Sequence, residues 1–154
     1  GELDLLLVKQ WEVDADCHAH WPEPLCWITA SGSPPPAPDT AVPLVAFPAG
    51  ALYREEMTAM LETCGKPWHV RFSSPSLPSL SAAVAAGLGI SLLPAACATP
   101  EHRQLTPEEG FPTPGGLHLS LYARARLSDA GHALRLALTD FCAARALNVT
   151  PPGG

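Results

Sequence analysis

Hydrophobic positions along the chain follow two periodicities, and their order predicts the succession of strands and helices. Apolar runs of strand length occupy residues 3–10, 24–30, 42–48, 67–74, 89–94 and 117–125. Helical spacing occupies residues 49–65, a stretch of about ten residues before Gly87, and residues 128–147. Strands that alternate with helices predict right-handed crossovers and a mostly parallel sheet, so the pattern indicates the α/β class.

Glycine and serine residues mark where the predicted helices begin and end. Gly65 follows the first helix and is expected to adopt the left-handed conformation that closes many helices. Residues 73–94 read SSPSLPSLSAAVAAGLGISLLP, and Ser74 or Ser76 is expected to cap the helix that begins there. Gly87 is expected to end that helix before the next strand.

Other segments define the ends of the domain and its loops. Residues 11–23 are polar and irregular, residues 31–41 form a proline-rich loop, and residues 148–154 form a frayed tail. The strand of residues 3–10 is apolar enough to be buried, which requires a neighbouring strand on each side. Because the chain starts on this strand without an initiator methionine, we expect a fragment of a longer protein.

The composition narrows the class of protein and its compartment. The 154 residues suit one domain, and 47% of them are hydrophobic. The net charge is −6 and the nine Lys and Arg residues are scattered, whereas a nucleic-acid surface needs a clustered basic face. Five cysteines show no compact disulfide framework, the first residues do not resemble a signal peptide, and no apolar run reaches the roughly 18 residues of a membrane span. We therefore expect a cytoplasmic protein with reduced thiols.

The order of elements and the residue spacing exclude two functional motifs, a dinucleotide-binding glycine loop and a catalytic nucleophile elbow. Gly87 and Gly89 resemble a dinucleotide loop, but here the helix precedes the strand, whereas that motif follows a strand and opens a helix. The serines of residues 73–79 lack the G-x-S-x-G spacing of a nucleophile elbow. The paired acids, Glu55 with Glu56 and Glu108 with Glu109, show no pattern of a buried general acid and base, so we expect them to be solvated charges of a helix and a loop.

The turns after two predicted strands offer candidate ligand contacts. Ser73 and Ser74 follow a strand and precede a helix, the place where open α/β sheets bind ligands and where hydroxyl and N–H groups receive an anion. The equivalent turn after the preceding strand contains an apolar wall, Phe47 and Pro48, and Gly50, which allows close backbone approach. Capping of the helix and contact with a ligand are compatible roles for the serines.

Two further groups of polar residues are expected to be structural. Arg54, one turn into its helix, is expected to pair with acidic neighbours at the surface. Cys17, His18 and His20 are metal-ligand types, but their spacing lacks the paired C-x-x-C or H-x-x-x-H pattern of zinc sites. A polar connector is the favoured interpretation, and a small metal-dependent hydrolase that uses these three residues is an alternative.

Several strings along the chain resemble one family. GELDLLLV, PLCWI, VPLVAFPxGxLYR and FSSPSLxxLxAAVAAGLGISLLP resemble the sensor part of a LysR-type transcriptional regulator, and the last string is the most specific. The resemblance covers essentially the whole chain and corresponds to the back part of the family's full length. The order of a further strand, with Leu119 to Arg124, and a terminal helix fits the family's ending.

The resemblance implies a periplasmic-binding-protein-like (type 2) α/β sensor, in which a small effector binds between two lobes. Residues 25–113 then correspond to a nearly complete lobe two, and residues 1–24 and 114–154 to the remaining part of lobe one. The helix-turn-helix, the linker helix and the first elements of lobe one have no counterpart in this sequence, so no DNA contact is assigned to any residue here. A solute-binding protein of the same fold is the alternative.

The resemblance also implies where the effector binds and which partners the protein has. Effector contacts are expected at the positions that match the family's turns and its lobe-one edge: Phe47, Pro48, Ala49, Gly50, Phe72, Ser73, Ser74, Val8 and Lys9. The helix of residues 52–64 is similar to one that packs against a partner sensor, so a homodimer of the full-length protein is expected. We expect a small-molecule effector, no cofactor, no metal and no membrane, and DNA only through a missing module.

Overall fold

The computed structural model describes residues 3–147, without the side chain of Leu147, so the predicted tail of residues 148–154 lies outside the described residues. The chain divides into unit 1, Gly1–Pro24 with Gly115–Gly154, and unit 2, Leu25–Pro114. The elements of unit 1 are β1 (Leu5–Gln10), β2 (Ala19–Pro22), β8 (His118–Ala123) and α3 (Asp129–Leu147). The elements of unit 2 are β3 (Leu25–Ala30), β4 (Val42–Ala46), α1 (Leu52–Thr63), β5 (Trp68–Ser73), α2 (Leu77–Ala85), β6 (Ser91–Pro94) and β7 (His102–Gln104).

Unit 2 contains both antiparallel and parallel strand pairs. β3 pairs antiparallel with β6 and with β7, and β4 pairs parallel with β5. A parallel bridge between Leu44 and Ile90 joins β4 to the residue before β6. The prediction of a mostly parallel sheet was therefore wrong. The hydrogen-bonded neighbours of β3 are β6 and β7 rather than β4, the next strand along the chain, so the alternation of strands and helices did not determine its direction.

Both helices of unit 2 end in the glycine motif that the sequence predicts. Gly65 has a φ of 65°, and the next N–H, that of Lys66, donates to the Leu61 carbonyl at 2.9 Å. Gly87 has a φ of 79°, and the N–H that follows it donates to the Ala83 carbonyl at 3.0 Å. These bonds satisfy carbonyls that lack a partner within the helix and fix where each helix turns back to the sheet.

One face of the unit 2 sheet packs against α2 to form a hydrophobic core. The buried residues of this core come from β3, β4, α2 and β6: Cys26, Ile28, Val45, Leu80, Ala83, Val84 and Leu93. Phe47, Phe72 and Leu77 are half-buried and pack against the edge of the same core. The core therefore extends to the turns that follow β4 and β5.

In unit 1, β8 lies between β1 and β2 and pairs antiparallel with both. Leu119 and Leu121 are buried, as their alternation predicts. β2 falls in the segment predicted to be irregular, since its four residues, AHWP, contain no apolar run. In the described part of the chain β1 pairs with β8 alone, and Leu6 and Leu7 are 41% and 37% exposed. The burial of this strand between two neighbours, which its apolar run predicts, is therefore not met within the described residues, and one edge of β1 is exposed, as expected for a fragment.

A helix that crosses a bilayer needs about 20 predominantly apolar residues. Among residues 3–147, none of the helices is both long and apolar enough to cross a membrane.

The cysteines of unit 2 are expected to differ in reactivity. Cys64 is exposed, whereas burial raises the pKa of the Cys26 thiol from 9.0 to about 11. We expect iodoacetamide at pH 8.5 to alkylate Cys64 readily and Cys26 only after unfolding, as measured by peptide mass spectrometry. Because the folded state retains a proton that the unfolded state releases, the free energy of unfolding should fall between about pH 9 and 11. Equal alkylation of both native thiols would contradict this.

Candidate functional site

The two turns that the sequence singles out lie next to each other in unit 2. β4 and β5 are parallel neighbours, and their last residues are in register, with Ala46 opposite Ser73. The Ser74 N–H donates to the Ala46 carbonyl at 3.2 Å, so the pairing continues one residue beyond β5. The carboxyl ends of both strands therefore open at one edge of the sheet, and the predicted residues from Phe47 and Ser73 onward share that edge.

The turn after β4 is exposed and has a defined shape. Pro48, Ala49 and Gly50 are exposed, whereas Phe47 is half-buried against the core. The Ala51 N–H donates to the Pro48 carbonyl at 3.2 Å, which closes a four-residue turn. Gly50, the third residue of this turn, has a φ of 88°, a conformation that favours glycine. We call residues 47–50 the β4 turn.

The turn after β5 places hydroxyl groups at the start of α2. The Ser76 hydroxyl accepts from the Ser79 N–H at 3.4 Å, so Ser76 is the N-cap. The Ser74 hydroxyl in turn accepts from the Ser76 N–H at 3.1 Å. Ser73 is exposed and its side chain lies opposite in direction to that of half-buried Phe72. We call residues 72–74 the β5 turn.

Val8 and Lys9, the remaining predicted contacts, belong to β1 in unit 1. The Lys9 Nζ lies 3.2 Å from the carboxylate of Glu23, which is only 4% exposed. The same carboxylate accepts from Arg145 Nη2 at 2.7 Å. Lys9 is thus part of an ion-pair network that links β1, the segment after β2 and the last turn of α3. The sequence did not indicate this network, because its residues lie far apart along the chain.

Within the part of the chain that the structure describes, Arg54 makes other contacts than the surface ion pair that the sequence favoured. Its Nη1 donates to the Phe47 carbonyl at 3.2 Å, and its guanidinium lies 5.5 Å from the ring centroid of Trp68. The side chain is half-buried. Glu55 lies beside it along the chain, but its carboxylate accepts from the Gly50 N–H at 2.8 Å. Both side chains therefore contact the β4 turn.

The polar side chains of the predicted connector do not converge. The Cys17 thiol donates to a backbone carbonyl at 3.1 Å, and His18 Nε2 accepts from Arg135 at 2.9 Å. His20 meets the ring of His118 edge-on at 5.2 Å. Within the described residues, no three His, Cys, Asp or Glu side chains form a group suited to a metal ion.

His102 holds α2 in place, and no local pattern in the sequence indicated its partners. It is 8% exposed, and its Nδ1 accepts from the Thr99 N–H at 3.1 Å. The other ring nitrogen therefore carries the proton and donates to the Ser81 carbonyl at 2.9 Å. A single histidine thus joins the middle of α2 to the segment before β7. The contact supports the helix that begins at the β5 turn.

Comparisons with known proteins agree with this architecture. The family model described as "LysR substrate binding domain" matches residues 1–143. The HTH-type transcriptional regulator PecT of Dickeya dadantii (strain 3937) is 30% identical over 112 residues, which cover 73% of this chain and 35% of PecT. The chain therefore spans about a third of the length of this relative.

Solved structures show the same fold at low sequence identity. The apo regulatory domain of HypT from Salmonella typhimurium has a TM-score of 0.69 and 16% identity, covering 92% of this chain and 73% of HypT's. The CcmR regulatory domain of Synechocystis PCC6803, in complex with 2-PG, has a TM-score of 0.57 and 22% identity, covering 90% and 73%. These similarities confirm the predicted periplasmic-binding-protein-like fold. The chain belongs to the LysR substrate binding domain family.

Proposed function

We propose that this chain is the effector-sensing part of a LysR-type transcriptional regulator, and that the β4 and β5 turns contact a small-molecule effector. The observation that supports the site is the register of β4 and β5, which brings both turns to one edge of the sheet. Ligands of open α/β sheets bind at such carboxyl ends. By this proposal, unit 2 is lobe two and unit 1 contributes part of lobe one, with Val8 and Lys9 as its effector contacts.

The two turns offer complementary chemistry to a ligand. The exposed hydroxyl of Ser73 and the backbone of exposed Ala49 supply hydrogen-bonding groups, whereas half-buried Phe47 and Phe72 supply apolar surface. Small-molecule sites commonly combine a mostly apolar lining with a few placed polar groups. We therefore propose a small metabolite with an apolar part and at least one hydrogen-bonding group.

The proposed mechanism is a shift between conformations. An effector that binds one conformation of the sensor more tightly increases the population of that conformation. In a regulator, this change in population alters the affinity for DNA. DNA binding belongs to a module outside the residues described here, and α1 is proposed to contact a second sensor in a homodimer. The chain itself is proposed to be a non-enzymatic, cytoplasmic protein; the absence of an enzyme activity is supported by its family.

A thermal-shift screen tests this function. We expect at least one compound from a panel of small carboxylic acids, amino acids, sugar phosphates and aromatic acids to raise the Tm. At 100 times its Kd, such a compound stabilises by about 2.7 kcal/mol, which is roughly 8 °C for a chain of this size. Ser73→Ala should leave the unliganded Tm unchanged, because Ser73 is exposed, but lower the shift.

The matched control is Ser31→Ala, which removes another exposed hydroxyl of unit 2 and should keep the full shift. Ser31 directly follows β3, which runs antiparallel to β6 and therefore ends away from the two turns. The proposal is contradicted if stabilising compounds act equally on the wild type and on Ser73→Ala. It is also contradicted if no compound of the panel stabilises the wild type.

A further inference from the structure

The β4 turn is fastened at both of its ends by consecutive residues of α1. Arg54 Nη1 donates to the carbonyl of Phe47, the first residue of the turn, at 3.2 Å. Glu55 Oε1 accepts from the N–H of Gly50, the last residue of the turn, at 2.8 Å. A cation meets a carbonyl oxygen and an anion meets an N–H group, so each contact is a charge-assisted hydrogen bond.

The side chains of Arg54 and Glu55 make the hydrogen bonds to the preceding turn that the N-cap residue of α1 does not make. The N-cap of α1 is Ala51, whose side chain makes no capping hydrogen bond. In capping boxes an acidic residue of the first turn reaches back to a backbone N–H before the helix, and Glu55 does this for Gly50. The orientation of the β4 turn relative to α1 thus depends on side chains beyond the cap.

Arg54 is itself held in place by β5. Its guanidinium lies 5.5 Å from the ring centroid of Trp68, the first residue of β5, in a cation–π contact. The planar guanidinium can stack on the ring and donate to a carbonyl at the same time, which a lysine ammonium does less well. Arg54 therefore ties the β4 turn to the neighbouring strand as well as to α1.

We propose that Arg54 and Glu55 are positioning residues that hold the β4 turn in the conformation that receives the effector. This inference rests on the proposed function of the β4 turn. A turn fixed before binding loses less conformational entropy when a ligand arrives, so its supports contribute to affinity without contacting the ligand. The same contacts make the start of α1 sensitive to any change in the turn.

The first arm of the test uses no ligand. Amide hydrogen exchange is measured by NMR in the wild type, in Arg54→Met, which keeps an apolar chain without donors, and in Glu55→Ala. We expect exchange of the Gly50 amide to accelerate about tenfold in Glu55→Ala, the scale of one lost hydrogen bond, and that of the Ala51 amide to accelerate in Arg54→Met. Glu55→Gln retains an acceptor and should restore most of the protection. The controls Glu56→Ala and Arg126→Met should leave both amides unchanged.

The second arm titrates the panel compound with the largest thermal shift into each variant. We expect Kd to rise about tenfold in Arg54→Met and Glu55→Ala, with Tm within a few degrees of the wild type, and to recover in Glu55→Gln. Wild-type exchange rates in both variants, or an unchanged Kd despite faster exchange, would overturn the positioning role. If no panel compound binds the wild type, the proposed function fails. The first arm is independent of that result: amide exchange at wild-type rates in Arg54→Met and Glu55→Ala would show that these side chains do not fix the β4 turn.

Discussion

Gly89→Ala is expected to destabilise unit 2 more than a methyl group added at any other glycine of that unit. A Cβ at position 89 would lie 2.4 Å from the Pro43 carbonyl oxygen and 3.3 Å from a methyl group of Val45. The first neighbour is backbone and cannot turn aside, so β4 and the segment before β6 would have to separate. We expect a loss of about 3 kcal/mol, or roughly 10 °C in Tm, measured by thermal unfolding.

A Cβ at position 89 destabilises the fold because Gly89 lies beside the bridge that pairs β4 with the residue before β6. The Ile90 N–H donates to the Pro43 carbonyl at 2.8 Å, and the Val45 N–H donates to the Ile90 carbonyl at 2.9 Å. Separation would weaken both bonds at the only described bridge between these segments. The control is Gly116→Ala, where an added Cβ meets nothing within 4 Å. Equal Tm values for the two variants would show that the close approach does not constrain the fold.

Glu23→Ala is expected to have the second-largest effect, this time on unit 1. The carboxylate is 4% exposed and accepts from Arg145 at 2.7 Å and from Lys9 at 3.2 Å. Its removal leaves two neighbouring cations without their shared anion. Because these cations are about one-third exposed, water compensates them in part, and we expect a cost of about 2 kcal/mol rather than the larger cost of a fully buried pair. Denaturant unfolding gives this value directly.

Two further variants separate the contributions of the network. Lys9→Met leaves Glu23 paired with Arg145 across the shorter contact, so it should cost less than about 1 kcal/mol. Glu23→Gln keeps the shape and one acceptor oxygen and should fall between the other two. If Lys9→Met were as damaging as Glu23→Ala, the two cations would not be acting as alternative partners of one carboxylate.

Local sequence signals predicted much of unit 2 because the relevant interactions lie within a few residues of each other. Ser76 caps α2, and Gly65 and Gly87 close the two helices. In unit 1, simple alternation likewise predicted the burial of Leu119 and Leu121. Strand direction was not predictable in this way. The pairing of β3 depends on contacts across the whole of unit 2, and its connection to β4 through a proline-rich loop carries no signal of direction.

In the candidate site, too, the sequence predicted features that depend on neighbouring residues and missed contacts between residues far apart along the chain. Ser73 and Phe47 were predicted as ligand contacts because each lies where a predicted strand is followed by a helix. The register of β4 and β5 places the two turns side by side. The sequence assigned Arg54 to the surface because acidic residues follow it. Its true partners are a carbonyl seven residues earlier and the ring of Trp68, whose proximity follows only from folding. Glu23 and His102 were missed for the same reason.

Amide chemical shifts of the 154-residue chain, recorded during titration with the most stabilising panel compound, test the proposed effector site most directly. We expect the largest changes on Gly50, Ala51, Ser73 and Ser74, at the carboxyl ends of β4 and β5, and we expect Ser73→Ala to reduce them. Amides at the opposite end of β4 and β5, such as those of Val42 and His69, should shift little. Saturable changes confined to residues outside both turns would contradict an effector site at the β4 and β5 turns.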